Sequence, residues 1–371
     1  MTRRAFSPKR KRLLPLLVLA AVSSSCAGPD RSAEFDALGS FVDSLAVEHG
    51  VPGVGLALFD ASGLLYEHVG GVKSQATLEP IDTNTAFEAA SISKPVFAYV
   101  VLSLARDGVL ELDAPLESLV PEVPEVAYDP RSAALTPRIL LTHLGGLPNW
   151  RSRINFAARS HEELFAPDDT LRFVLDPETE YLYSGEGYVL LQRIVEEITG
   201  QSLVELARER VFEPLGMTRS SFLFDAEMRT NYSLGHDGEG NPDKWEIALP
   251  LASSTLHTTA ADLAGFGAHL ASEILAGGRY SALGTPAVAV GEADEVDEGD
   301  ELVHGWGQGL GVVTDGGRRY VYHGGNNVIF IADFIYGVEE NMGYVLLTNS
   351  SNGRLMVDPL ELRVFGRDLR R

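Results

Sequence analysis

Residues 87–95 read Phe-Glu-Ala-Ala-Ser-Ile-Ser-Lys-Pro, and this stretch decides the local fold. It leads into a run of apolar residues that continues to Leu104 with the spacing of a helix and ends near Gly108. Proline is tolerated in the first turn of a helix, where its missing amide would have no partner, so Pro95 predicts a helix that begins at about Ser91. Residues three apart on a helix share a face. The pattern therefore predicts that the amine of Lys94 lies close to the hydroxyl of Ser91.

This pair has the chemistry of a nucleophile and its base. A serine hydroxyl attacks only after a base removes its proton, and a lysine serves as that base only if its pKa is lowered. Burial in a cleft and the positive end of the helix dipole both lower it. Arginine would be unsuitable at position 94 because it keeps its proton in proteins. The alternative is structural, with Ser91 capping the helix and Lys94 reaching along the surface to water. The motif alone leaves both interpretations open.

The length and composition indicate a globular protein with one large domain or two closely packed lobes. The chain has 371 residues, of which 45% are hydrophobic and 22% charged. Its 52 acidic and 30 basic residues give a net charge of −22, which argues against nucleic acid as a partner. The single cysteine excludes an intramolecular disulfide and a cysteine-based metal site. We therefore expect a small-molecule or peptide substrate, and neither a metal nor an organic cofactor.

Residues 1–26 are predicted to be a signal peptide. Six basic residues precede an apolar stretch, Leu13–Val22, that is too short to span a bilayer comfortably. Residues 23–26, Ser-Ser-Ser-Cys, resemble a bacterial lipobox, so Cys26 is a candidate for lipidation, whereas a plain cleaved signal and a twin-arginine route stay open. The expected location is the bacterial cell envelope, either periplasmic or lipid-anchored. Contact with a membrane is expected only through an acylated Cys26.

Strand patterns at both ends of the chain flank a mainly helical middle. We predict a helix over 33–49, then strands over 54–59, 64–69, 309–314, 319–323, 328–336 and 343–348, and a closing helix over 359–369. An N-terminal hairpin alone cannot bury its faces, so it is expected to join the late strands in one sheet. The predicted fold class is α+β, with an antiparallel sheet flanked by terminal helices and a mainly helical lobe. A ligand site is expected between the two lobes. Residues 292–301, which hold seven acidic side chains, are interpreted as a solvated loop.

Five segments, in order, resemble the serine β-lactamase and penicillin-binding-protein superfamily. The resemblance is strongest to its branch of class C β-lactamases, D,D-carboxypeptidases and D-aminopeptidases. The segments are 87–94, 140–148 (Leu-Leu-Thr-His-Leu-Gly-Gly-Leu-Pro), 181–188 (Tyr-Leu-Tyr-Ser-Gly-Glu-Gly-Tyr), 213–217 (Glu-Pro-Leu-Gly-Met) and 322–325 (Tyr-His-Gly-Gly). The resemblance implies a β-lactamase/transpeptidase-like fold in which 27–33 is a linker and 34–371 is the hydrolase domain. The helical lobe, roughly 95–300, would be inserted in the sheet lobe.

The resemblance also implies a role for each member of a catalytic set. Ser91 matches the acylated nucleophile, Lys94 its base partner, and Tyr183 the residue that passes a proton to the leaving group. A phenol near a lysine ammonium would have a stabilised phenolate, which would help Tyr183 to exchange protons. His143 is expected to be a structural, hydrogen-bonding residue of its loop.

A second set of residues is implied to bind the substrate. The backbone amides of Ser91 and Asn326 would form the oxyanion hole. His323 begins the motif of the substrate-binding strand, and the absent side chain of Gly325 would let a substrate lie against the sheet. Gly185 departs from the pattern, because an asparagine that would bind the acyl-side carbonyl of the substrate is usual there.

These departures shape the expected activity. His323 stands in place of a lysine, and a mostly neutral imidazole attracts a carboxylate less than an ammonium does, which favours esters, amides or D-aminoacyl substrates. The expected function is an exported serine hydrolase that cleaves an ester or amide through a Ser91 acyl-enzyme. A D,D-peptidase or a β-lactamase is an alternative, and a non-catalytic envelope binding protein with the same fold is another.

Overall fold

The computed structural model describes residues 31–120, 123, 125–126, 128–151, 155–165, 171–244, 247–290 and 302–369. The predicted signal peptide, Cys26 and the acidic run 292–301 lie outside the described residues. Among the described residues, no helix combines the length and the apolarity needed to cross a membrane.

Ten α-helices and twelve strands form over these ranges. The helices are α1 (Ser32–His49), α2 (Ser93–Arg106), α3 (Leu116–Leu119), α4 (Pro137–Leu141), α5 (His161–Leu164), α6 (Gly185–Thr199), α7 (Leu203–Ala207), α8 (Glu213–Leu215), α9 (Ala260–Ala276) and α10 (Arg354–Phe365). The strands are β1 (Gly53–Asp60), β2 (Gly63–Gly71), β3 (Phe87–Ala90), β4 (Gly235–His236), β5 (Pro242–Asp243), β6 (Leu256–Thr258), β7 (Val288–Ala289), β8 (Leu302–Trp306), β9 (Gly311–Asp315), β10 (Arg318–Asn326), β11 (Ile331–Gly337) and β12 (Met342–Thr348).

An eight-stranded antiparallel sheet joins the two ends of the chain. Its order is β2-β1-β12-β11-β10-β9-β8-β7, and β1 pairs with β12 from Val54↔Thr348 to Phe59↔Gly343. Alternate residues of a strand face opposite sides, so Leu56 packs with α1 and α10 whereas Phe59 packs under α9. The predictions of an α+β fold and of a sheet completed by late strands between terminal helices are confirmed.

Two predicted helix boundaries differ from the structure. The helix α2 begins at Ser93 rather than at about Ser91, and Pro95 remains in its first turn. The closing helix α10 begins at Arg354, five residues before the predicted start, and Pro359 lies inside it. Met356 and Leu360, four residues apart, are fully buried against the sheet, and this packing holds the helix through the proline.

The strand predictions missed two elements that reach the site, β3 and β8. β3 has only four residues, and β8 has only two buried residues, Gly305 and Trp306, so neither shows the alternation by which a half-buried strand is predicted. β11 begins at Ile331, three residues later than predicted, because Val328 occupies the left-handed region with φ 66°.

The site lies where β3 and α2, the start of α6, and the ends of β8 and β10 meet. Residues Ser93–Leu104 of α2 are all buried, which explains the continuous apolar run in the sequence. The helix is therefore a rigid support for the residues at its N-terminus.

Candidate active site

Ser91 lies in the turn between β3 and α2 and is partly exposed to solvent. Ala90, directly before it, has φ 49°, in the left-handed region that residues with a side chain rarely adopt. The Ser91 N–H donates to no acceptor among the described residues. The turn thus carries a partly exposed residue whose backbone amide is not used by another described residue.

Lys94 lies directly behind Ser91. Its Nζ is 3.1 Å from Ser91 Oγ and 2.9 Å from the carbonyl oxygen of Ser253. The side chain is buried, and burial lowers the pKa of Lys94 to about 7. The lysines at 73 and 244 form ion pairs with Glu79 and Glu88, whereas within the described chain Lys94 pairs with no carboxylate. An amine that is partly deprotonated at neutral pH therefore lies within hydrogen-bonding distance of the Ser91 hydroxyl.

Tyr183 closes the other side of the pair. Lys94 Nζ is 4.8 Å from the centre of its ring, and its side chain forms a hydrogen bond with Ser91. The expectation of a stabilised phenolate is wrong, because burial raises the pKa of Tyr183 well above its ordinary value, and the bond with Ser91 only partly offsets this. The Lys94 amine faces the ring rather than the phenol oxygen alone, and its lowered pKa means that it is only partly charged near neutral pH. Tyr183 is therefore protonated and can act as a proton donor.

His143 holds the segment that carries Tyr183. Its Nδ1 accepts a hydrogen bond from the Ser184 N–H at 3.0 Å, so the hydrogen-bonding role predicted for it is confirmed. The ring lies 4.4 Å from that of Tyr183, and burial holds the pKa of His143 well below its ordinary value. Trp306, which the sequence analysis missed, packs 5.0 Å from His143 and 5.8 Å from Tyr183, measured between ring centres.

The end of β10 lies against the strand that leads to Ser91. A side chain at Gly325 would overlap the carbonyl oxygen of Ala89, whereas Gly324 faces open space. Asn326 is exposed at the end of β10, and its side-chain oxygen accepts from the Val328 N–H at 2.8 Å. The structure thus brings the predicted oxyanion strand beside the predicted nucleophile.

His323 is less accessible than its predicted contact with substrate requires. Its side chain is only 2% exposed, and its Nδ1 lies 2.7 Å from the carbonyl oxygen of Gly324. The ring centre is 5.4 Å from that of Trp306 and 6.1 Å from that of Tyr183. The imidazole forms part of the wall behind Tyr183, and binding of substrate by its ring stays a prediction.

Comparison with known proteins places this arrangement in a family. The family model described as Beta-lactamase matches residues 35–364. The chain belongs to the Beta-lactamase family. This β-lactamase-family chain is 30% identical over 304 residues to penicillin-binding protein 4 of Amycolatopsis lactamdurans, covering 76% of this chain and 77% of that protein. It is 32% identical over 206 residues to the esterase EstB of Burkholderia gladioli, covering 50% and 52%.

The solved structures agree on the fold. The octameric penicillin-binding protein homologue from Pyrococcus abyssi superposes with a TM-score of 0.74 at 24% identity, covering 91% of this chain and 78% of that one. The β-lactamase/transpeptidase-like fold and the serine hydrolase class are therefore confirmed.

A buried polar network that the sequence analysis missed supports the site of this β-lactamase-family chain. Glu88 forms an ion pair with Lys244 and accepts from Asn327 Nδ2 at 2.8 Å. Asn327 Nδ2 also lies 3.1 Å from the carbonyl oxygen of Ser254. The network joins the strand before Ser91, the end of β10 and the segment whose Ser253 carbonyl holds Lys94. Within the described ranges, no group of three or more His, Cys, Asp or Glu residues is arranged to hold a metal ion.

Ser93 fixes the turn that carries the nucleophile. Its fully buried hydroxyl donates to the carbonyl oxygen of Ala90 at 2.6 Å and accepts from the Leu256 N–H at 2.9 Å. Ser93→Ala would remove a hydrogen bond from each of two buried backbone groups, so we expect it to lower the free energy of unfolding by about 1–3 kcal/mol. Denaturant unfolding measures this loss.

Ser44→Ala is the matched control, because Ser44 donates at 2.9 Å to the carbonyl oxygen of Ser40 on the exposed side of α1. We expect its stability to stay within about 0.5 kcal/mol of wild type. Equal losses in the two variants would show that Ser93 does not brace the turn.

Proposed function

We propose that this chain is an exported serine hydrolase that cleaves esters or amides through an acyl-enzyme on Ser91. One observation carries the proposal: a buried lysine, with no carboxylate partner among the described residues, lies 3.1 Å from a partly exposed serine hydroxyl. Such a lysine is a base at neutral pH because burial lowers its pKa to about 7. Export rests on the predicted signal peptide of residues 1–26, with Cys26 as the candidate lipidation site.

Acylation would begin with the transfer of the Ser91 proton to Lys94. Ser91 Oγ then forms a bond to the substrate carbonyl carbon, and the carbonyl electron pair moves to the oxygen. The amides of Ser91 and Asn326 would bind that oxyanion. As the carbonyl reforms, the bond to the leaving alcohol or amine breaks, and Tyr183 gives the leaving group its proton. The high pKa of Tyr183 suits a donor that stays protonated until this step.

Deacylation would repeat these transfers with water as the nucleophile. Before water reacts, the proton that Lys94 took from Ser91 passes to Tyr183, which gave its own proton to the leaving group. Lys94 then removes a proton from the water, which attacks the acyl carbon, and the bond to Ser91 Oγ breaks as Tyr183 gives Ser91 a proton. Lys94 returns the proton from the water to Tyr183, and the free acid leaves. Each group returns to its starting state, so the cycle needs no cofactor.

The wall of the cleft favours an ester or an uncharged amide over a free carboxylate. Tyr183 and Trp306 are aromatic, His143 is held neutral by burial, and His323 stands where a lysine is usual. The similarity to the esterase EstB supports an ester substrate. The similarity to penicillin-binding protein 4 keeps a D,D-peptidase as the second candidate, ahead of a β-lactamase.

Labelling with a fluorophosphonate tests the proposal. We expect one adduct per chain, which peptide mass spectrometry locates on Ser91, and no adduct after heat denaturation. A folded protein that takes no label, while an active class C β-lactamase labels under the same conditions, would favour the non-catalytic binding protein. Rates with a short-chain nitrophenyl ester, a chromogenic cephalosporin and a D-Ala-D-Ala peptide then rank the substrate classes, and we expect the ester to be cleaved fastest.

A further inference from the structure

The turn between β10 and β11, residues 327–330, contains a strained residue. Val328 lies in the left-handed region with φ 66°, which a β-branched residue rarely adopts. Backbone strain of this kind persists only where the surrounding structure holds it. The side chain of Val328 is 56% exposed, so its own packing does not supply that hold. Another contact must therefore keep the turn in this conformation.

The side chain of Asn327 ties the turn to the protein interior. Its Nδ2 donates to Glu88 Oε2 at 2.8 Å and to the carbonyl oxygen of Ser254 at 3.1 Å. Glu88 is buried, and its other carboxylate oxygen forms an ion pair with Lys244, so the acceptor is itself fixed. A hydrogen bond to a carboxylate is stronger than one between neutral groups. These two bonds of Asn327 offset the strain at the residue that follows it.

Asn326 comes directly before this turn, and its backbone N–H points away from β11. The Asn327 N–H donates to the Phe330 carbonyl oxygen at 3.1 Å, on the β11 side. Successive N–H groups of an antiparallel strand point to opposite edges, so the Asn326 N–H points to the β9 edge of β10. Within the described residues, the pairing with β9 ends at Tyr322↔Gly311, which leaves this edge open. This orientation supports the oxyanion role proposed for the Asn326 amide.

We propose that Asn327 and the strained Val328 together position the oxyanion hole. Asn327 joins the turn to Glu88, which lies three residues before Ser91, so the segments that carry the two proposed oxyanion amides are tied together. Without the two hydrogen bonds, the turn would relax to a negative φ at Val328, and the Asn326 amide would rotate with it. Asn327 then acts on the transition state, where the oxyanion forms, and not on substrate binding. This inference rests on the proposed function, because it requires hydrolysis at Ser91.

Asn327→Ala tests the inference, because it removes both hydrogen bonds and leaves the strain at Val328. We expect kcat and kcat/KM for a short-chain nitrophenyl ester to fall equally, by about tenfold, which is less than the complete loss of an oxyanion donor. Circular dichroism and thermal unfolding establish that the variant is folded at the assay temperature. A lower melting temperature with unchanged kcat would indicate a structural role alone, and would overturn the inference while leaving the proposed function standing.

Val328→Gly separates the strain from the other effects of losing Asn327. Glycine adopts a positive φ without strain, so the turn should keep its shape without the two hydrogen bonds. We expect Val328→Gly alone to keep kcat close to wild type, and Asn327→Ala/Val328→Gly to have a kcat within about threefold of wild type. Val328→Ala is the matched control, because it removes the same exposed side chain but keeps a Cβ atom. It should restore little activity to Asn327→Ala.

The double variants give the decisive comparison. A tenfold loss from Asn327→Ala that persists beside Val328→Gly, or an equal recovery with Val328→Ala, would overturn the inference. If Asn327→Ala alone is too unstable to assay, recovery of folding and kcat in Asn327→Ala/Val328→Gly supports the inference, and its absence overturns it. Failure of the wild-type protein to hydrolyse the ester and to take the fluorophosphonate label would instead overturn the proposed function, and the inference with it.

Discussion

Lys94→Met is expected to lower kcat/KM for a nitrophenyl ester by about 10³-fold or more, because it removes the amine that lies at hydrogen-bonding distance from the Ser91 hydroxyl and serves as its proposed base. Methionine has nearly the length of lysine and suits a side chain that is only 1% exposed. The fold should therefore persist, and circular dichroism with thermal unfolding checks this. Steady-state kinetics on the same preparation measures the loss.

Arginine at the same position separates the loss of a base from the loss of a charge. Lys94→Arg keeps a cation but cannot accept a proton, so we expect it to be about as inactive as Lys94→Met. Lys73→Arg is the matched control, because Lys73 forms an ion pair with Glu79 that arginine can keep. More than a tenth of wild-type activity in a folded Lys94→Arg would exclude Lys94 as the base.

The pH dependence of kcat/KM is an independent test of Lys94 as the base. Lys94 acts when it is deprotonated, and its pKa is lowered to about 7, so kcat/KM should rise with pH with a midpoint at about 7 and level off above it. The pKa of Tyr183 is raised above its ordinary value, so no alkaline loss from this group is expected below pH 10. If kcat/KM of Lys94→Met still rose with pH with the same midpoint, the group that titrates would not be Lys94.

The parts of the site that follow from local geometry could be predicted from the sequence. Ser91 and Lys94 are three residues apart, and one helical turn brings them together whether the helix begins at 91 or at 93. The protonation states could not be predicted, because burial and the direction from which Lys94 approaches the Tyr183 ring depend on the tertiary fold. The phenolate was therefore predicted where the structure has a phenol.

Contacts between segments that are distant in the chain were also missed. Asn149 meets Gly185 across 36 residues, and Glu88 meets Lys244 and Asn327 across 156 and 239 residues. The sequence has no periodic signal for such pairs. The sheet was easier to predict, because β1 and β12 each have a long buried run, whereas β8 has too little buried length to be recognised.

Gly325→Ala is expected to lower kcat by about 10²- to 10³-fold, the range for loss of an oxyanion donor. The new methyl group would overlap the carbonyl oxygen of Ala89, which belongs to the backbone of β3 and cannot rotate away. The end of β10 must then move from β3, and the Asn326 amide moves with it, away from Ser91. Overpacking of this kind also costs about 1–3 kcal/mol of stability, which denaturant unfolding measures.

The adjacent glycine offers a matched control in the same strand. An alanine at Gly324 would meet nothing within 4 Å, so Gly324→Ala should keep kcat close to the wild-type value and the free energy of unfolding within about 0.5 kcal/mol. The two variants add the same methyl group to neighbouring residues of β10 that both pair with β11. A difference in kcat or stability between the two variants therefore comes from the close contact between β10 and Ala89, and not from the replacement of a glycine as such. Equal activities would mean that the spacing between β10 and the nucleophile turn does not set the geometry of the oxyanion hole.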